Sequence, residues 1–138
     1  MNELVKKHIA QLMCLELCCK DGHYQCKGID FPQLHELFDK IQDGLSEMRD
    51  ITQEIFFLGR GQDAMAGKEI LQIVSGIIQE PGKTNEELIA NVKDCLLKTL
   101  DNLSDLIKQD LTSGERSLFD DQAKDLQQRM GFLNRISD

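Results

Sequence analysis

The chain has 138 residues, 24 acidic and 16 basic, for a net charge of −8. That length suits one domain, residues 1–138, with a proper hydrophobic core. The acidic balance argues against a free-standing nucleic-acid binder, which needs a basic face, and suits a particle that attracts cations.

The first helical pattern runs from about Asn2 to Cys26, with Leu4, Val5, Ile9, Leu12, Met13 and Leu17 at helical spacing. Asn2 is its candidate N-cap and Gly28 its stop. Met1 to Ala10 contains no signal-peptide core, and no apolar run is long enough to span a bilayer. A cytoplasmic protein with no membrane partner is the expectation. His8 has no acidic or histidine partner four residues away, and a solvated role is expected for it.

The second pattern opens at Asp30, with Pro32 in its first turn, and continues to about Leu58 before Gly59 and Gly61. Leu34, Leu37, Phe38, Ile41, Leu45, Met48, Ile51, Ile55 and Leu58 form its core stripe. Gly44 falls inside it, at a cost of about 1 kcal/mol relative to alanine. A short helix is expected over Gly67–Ile78. Thr84 with Glu87 forms a capping box for the third long helix, which runs to about Asp110. Thr112 with Glu115 opens the last, with Leu118, Phe119, Leu126, Met130, Leu133 and Ile136 apolar. Strand signals are nearly absent. The expected class is all-α, a four-helix bundle with a short extra helix in a long middle connection. That connection lets the second and third helices run parallel on opposite corners.

Five side chains able to bind metal stand close in sequence: His23, His35, Asp39, Asp50 and Glu54. Two steps of four residues place ligand pairs on one helix face. The step of eleven is about three turns and returns to nearly the same face, so His35, Asp39, Asp50 and Glu54 form one stripe. Asp39 and Asp50 would then be roughly 16 Å apart along the axis, too far for one ion. An antiparallel copy of the helix, crossing near Gly44 and Leu45, brings His35 and Asp39 of one subunit against Asp50 and Glu54 of another. Imidazole and carboxylate donors suit iron, zinc or manganese.

Five cysteines without a secretory signal read as reduced thiols. Cys14 and Cys18 share a helix face, while Cys26 and Cys95 are scattered. Cys19 and Cys26 flank His23 as a weak soft-metal alternative, but small buried hydrophobes are the favoured role. Glu47 is a candidate supporting residue beside the ligand stripe. Asp120, Asp121 and Asp125 read as a solvated face.

The stretch from His23 through Leu34-His35-Glu-Leu-Phe-Asp39, continued by Asp50-Ile-Thr-Gln-Glu54 and Leu58-Gly59, resembles the Dps mini-ferritins. The pattern Asp110-Leu-Thr-Ser-Gly-Glu115 resembles that family's turn into its last helix. The resemblance implies a ferritin-like bundle assembled as a hollow dodecamer. It implies a ferroxidase that takes ferrous iron at two-fold interfaces, oxidises it preferably with hydrogen peroxide, and stores ferric mineral. By position, His23, His35 and Asp39 come from one subunit and Asp50 and Glu54 from its two-fold mate. Iron is the implied metal, and zinc is a competitor that this donor set admits. No Glu-x-x-His occurs, unlike ordinary ferritins.

Several departures from the family are visible. Tyr24 follows the first ligand histidine where tryptophan is common. Only Lys6 and Lys7 stand where DNA-binding members carry a lysine-rich tail. Glu115 matches an acidic pore position, and Leu111 occupies another. Two other readings stand beside this one. One, also implied by the resemblance, is a DNA-compacting protein, disfavoured by charge. The other is a non-catalytic helical interaction module whose acidic stripe is only surface.

Overall fold

The computed structural model describes residues 1–136. All regular structure among them is helical. Helix α1 spans Asn2–Gln25, α2 Phe31–Gln42, α3 Leu45–Thr52, α4 Gly67–Ile77, α5 Asn85–Ile107 and α6 Ser113–Ile136. Helix α1 packs along α5 and α2 and also meets α3 and α4, while α6 packs on α5. Helices α2 and α5 share no extended contact, as opposite corners of a bundle require. Val5, Ile9, Leu12, Phe38, Phe57, Leu96, Leu103 and Phe119 fill one core.

The expected second helix is not continuous. Asp43 adopts an extended conformation and Gly44 a left-handed one, φ 81°, which separates α2 from α3. Glycine takes that conformation without steric cost. Gly44 is therefore a hinge residue between helices rather than an interior helix residue. Arg129 of α6 serves the break. Its Nη1 donates to the carbonyl oxygens of Ile41 (2.7 Å) and Asp43 (2.5 Å), and its Nε donates to Asp125 (2.6 Å). Carbonyls freed at a helix end need such donors.

After Thr52 the chain widens into a π-helical turn, Gln53–Phe57, and tightens into a 3₁₀ turn, Leu58–Arg60. The Gln53 amide holds the following loop. It accepts from the Met65 N–H at 2.7 Å and donates to the Met65 oxygen at 3.3 Å. The wider winding rotates the apolar stripe out of phase. Phe56 and Phe57 turn inward, while Leu58 is exposed; Ile51, in α3 just before the turn, is also exposed. Both exposed residues were expected in the core.

Of the two expected capping boxes, one forms in half and the other in full. Thr84 Oγ1 accepts from Glu87 N–H, although the Glu87 carboxylate takes the N–H of Lys83 instead of Thr84. Thr112 and Glu115 exchange both bonds, at 3.0 and 3.2 Å. Helix α5 stops three residues before the expected Asp110, and Arg116 takes the oxygens of Ile107 and Gln109. Met1, rather than Asn2, is the N-cap of α1; the Asn2 amide bonds Gln62. Ile136 is exposed.

His8 is buried, not solvated. Its Nε2 donates to Gln122 Oε1 at 2.7 Å, and its ring meets Phe119 edge-on. Gln122 Nε2 donates to Thr52 Oγ1, which donates to the Met48 oxygen. Among the described residues His8 Nδ1 has no partner. Burial outweighs the Gln122 bond and lowers the His8 pKa from 6.5 to about 4. The neutral ring is thus part of the core, and the chain of bonds ties α1 to the residue that precedes the π turn.

Candidate metal centre

His23 closes α1 and His35 lies on the first turns of α2. The approach of these helices depends on Gly22. A Cβ there would stand 2.7 Å from the ring of Phe38, which is fully buried. Pro32 at the start of α2 and Gly28, φ 84°, shape the short connection.

The two imidazoles stack, with centroids 3.5 Å apart and planes at 18°. His23 Nδ1 donates to the His35 main-chain oxygen at 2.8 Å, and His35 Nδ1 donates to the His23 oxygen at 2.7 Å. A carbonyl only accepts, so each ring carries a proton on Nδ1, and in the neutral ring the lone pair is on Nε2. Among the described residues neither Nε2 has a partner. Phe31 stacks on the far side of His35 and Tyr24 meets His23 edge-on. This row of four rings holds two nitrogen donors side by side. The aromatic Phe31 was not singled out in the sequence; the signal was its place four residues before His35.

Asp39 lies one turn beyond His35, exposed, and accepts from Gln42 at 3.1 Å. Asp50, on α3, and Glu54, inside the π turn, are exposed. Single π turns inside helices frequently occur at functional sites. Within the chain the five side chains do not converge. Among the described residues, the one set of three ligand-type side chains with donor atoms within 4.8 Å of one another is Cys14, Cys18 and Cys95. The helix break also means that the stripe through Asp39 and Asp50 is carried by two helices, so a separation counted from one helical rise does not apply.

Exposed apolar side chains lie near the five residues in sequence. Tyr24 is 68% exposed and Ile29 92% exposed, and Phe31 stands beside His35. Ile51 adjoins Asp50, and Leu58 follows Glu54 by four residues. Exposed apolar clusters of this kind mark interaction surfaces.

Other candidates are placed elsewhere. Cys19 is fully buried and Cys26 Sγ points toward the oxygens of His23 and Phe31, so neither joins His23 in a soft site. Glu47 is exposed and lines a groove with Asp121 and Asp125 between α3 and α6. Glu115 is buried. Arg60 Nε and Nη2 each donate to its carboxylate at 2.7 Å, which holds its pKa below the usual carboxylate range. Within the chain this acid is therefore committed to Arg60 and to its cap.

No protein-family profile matches the chain, and no curated protein matches it in sequence. Solved structures do match in shape. Antigen TpF1 from Treponema pallidum superposes with a TM-score of 0.84 at 23% identity, covering 99% of this chain and 90% of that one. Dps from Staphylococcus aureus gives 0.85 at 15% identity, covering 99% and 93%. Dps from Thermosynechococcus elongatus gives 0.85 at 17% identity, covering 98% and 88%. Over nearly its whole described length, the chain has the ferritin-like helical fold of the Dps structures.

Proposed function

We propose that this chain is the subunit of a Dps-type shell that oxidises and stores iron. The observation that carries the reading is the reciprocal His23–His35 pair, which occupies both Nδ1 atoms and leaves the Nε2 atoms of two half-buried rings without a partner among the described residues. Borderline nitrogen donors of this kind hold ferrous iron, and the carboxylates of Asp39, Asp50 and Glu54 neutralise charge and favour the ferric product. Iron is the substrate and the stored cargo. Two ferrous ions supply one electron each to hydrogen peroxide, which with two protons becomes two waters and releases no hydroxyl radical.

His23, His35 and Asp39 supply one half of each site, and Asp50 and Glu54 of a two-fold mate supply the other. The exposed rim of Tyr24, Ile29, Phe31, Ile51 and Leu58 supports an interface at that place. The closed assembly is a dodecamer, located in the cytoplasm, and zinc competes for the same donors. No helix among the described residues is long and apolar enough to cross a membrane. DNA compaction is not part of the reading, because net charge −8 leaves no surplus of cations for phosphates.

The test is anaerobic loading with ferrous iron followed by peroxide. The expected result is two irons oxidised per peroxide and a soluble ferric product that elutes with a large oligomer. A stable folded monomer that leaves peroxide-driven oxidation at the rate of free iron overturns the reading.

A further inference from the structure

Cys14 and Cys18 lie one turn apart on α1, and Cys95 reaches them from α5. Their three Sγ atoms lie within 4.8 Å of one another. All three thiols are free and buried. The space that they line with Gln11 is about 10 Å³, at the lower limit for one water. Gln11 Nε2 donates to Cys95 Sγ at 3.1 Å. Hydrogen bonds from Cys18 and Cys95, helped by the nearby Lys98 ammonium, pull the Cys14 thiol below its ordinary range against the effect of burial, while the same bonds and burial push the Cys18 and Cys95 thiols up. Cys14 and Cys18 precede His23 by nine and five residues, so at about 100° per residue they occupy a different face of α1 from that histidine.

We propose that Cys14, Cys18 and Cys95 form a three-coordinate thiolate site for one Cu(I) ion per chain. Sulfurs about 2.3 Å from a central metal stand about 4 Å apart in a plane, so the site closes by less than about 1 Å on loading. Thiolate softness selects Cu(I) and Zn(II) from the common ions. Coordination number then separates the two. Zn(II) takes four ligands. Among the described residues no fourth histidine, cysteine or carboxylate lies within 4.8 Å of all three sulfurs; Asp94 lines the same space, but its carboxylate accepts from Lys98 at 3.0 Å and from Gln79 at 3.2 Å, and an ion there would fill the volume of about 10 Å³ that a water could otherwise take. Cu(I) is satisfied by three sulfurs. Loading forms three Cu–S bonds and sends the remaining thiol protons to solvent, with no electron transfer. Lys98 and the Gln11 amide offset the excess negative charge of the loaded site. The proposal is independent of the iron reading.

The reduced full-length protein, titrated anaerobically with Cu(I) against a bicinchoninate competitor, tests it. We expect one Cu(I) retained per chain, a near-ultraviolet sulfur-to-copper band, and X-ray absorption fitted by three sulfur neighbours. Cys95→Ser should lose this binding, whereas Cys26→Ser and His23→Ala should keep it. Zn(II) titrated in parallel should be removed by a chelator that leaves Cu(I) in place. Nitrogen or oxygen neighbours in the wild-type spectrum overturn the proposal, without reference to how any variant folds. So do retention of Cu(I) by Cys95→Ser, preference for Zn(II), or failure of the fully reduced protein to bind Cu(I).

Discussion

His23 and His35 each donate a proton from Nδ1 to the other's main-chain oxygen, at 2.8 and 2.7 Å. The exchange makes each residue the orienting group of the other. It links the end of α1 to the start of α2 and fixes both tautomers at once.

Removal of one ring should therefore damage the other. We expect His35→Ala to slow ferrous oxidation by about 10- to 100-fold or more, since supporting groups alone are worth that much in metal affinity. Asp39→Ala should do the same without affecting His23. Neither side chain lies in the core, so helix content should persist. Stopped-flow absorbance of the ferric product measures the rate, and unchanged rates in both variants remove these residues from the site.

Gly22→Ala should harm the site without touching a ligand. The added methyl would lie 2.7 Å from the ring of Phe38, which is enclosed on all sides. Overpacking of this kind costs about 1–3 kcal/mol. Helix α1 must then move away from α2, which pulls apart rings now 3.5 Å from one another. A lower unfolding temperature together with weaker iron binding is the expected pair of results. Unchanged iron binding would show that the stack tolerates the shift.

The two-fold assignment is open to complementation. One variant lacks His35 and Asp39, and a second lacks Asp50 and Glu54. Each alone should be inactive, because every site loses two ligands. In a mixed dimer one site regains all five, so dissociated and reassembled mixtures should recover up to about half of wild-type activity in heterologous pairs. Mass spectrometry confirms the mixed dimers. If these form and remain inactive, the ligands are not divided between subunits in this way.

His8 gives the protein a pH dependence with a definite sign. Its folded pKa, about 4, lies below the ordinary 6.5. Between those values the unfolded chain binds a proton that the folded chain refuses, so stability falls as pH drops from about 6.5 toward 4. The full effect is roughly 3 kcal/mol, of which roughly 2 kcal/mol is reached by pH 5. Denaturant unfolding at pH 7 and pH 5 should show that extra loss in wild type relative to His8→Gln, which keeps a donor for Gln122. Equal losses would mean that His8 is protonated inside the fold.

Arg60→Met should destabilise the start of α6. Glu115 has a side chain only 3% exposed, while that of Arg60 is 26% exposed. Breaking a fully buried pair costs about 3–5 kcal/mol. Water can reach the Arg60 side, so roughly 2 kcal/mol is expected here. Arg60→Met with Glu115→Gln should recover part of the loss, because the amide carries no unpaired charge. Thermal unfolding of the single and double variants decides the matter.

The long helices were legible because their apolar positions recur with the helical period and their ends carry local signals. Thr84 and Thr112 act through residues three positions away, so a linear pattern is enough to find them. Four of the five candidate ligands were legible for the same reason, as the pairs His35–Asp39 and Asp50–Glu54 four residues apart; His23 stood out only by its place in the family-like stretch. The helix break at Gly44 was not. Whether a glycine continues a helix or turns left-handed depends on partners for the freed carbonyls. Here that partner is Arg129, distant in sequence.

The sequence by itself determined the helical class, the number of bundle helices and the chemistry of the candidate donors, since each rests on contacts within about one turn. Only the tertiary structure decided what long-range packing controls. It buried His8 against Gln122 and Phe119, committed Glu115 to Arg60, and brought Cys95 to Cys14 and Cys18. It also turned His23 and His35 into one stacked unit. These pairings depend on which faces of separate helices meet, and burial there sets the cost of each charge. A periodic pattern carries no record of either.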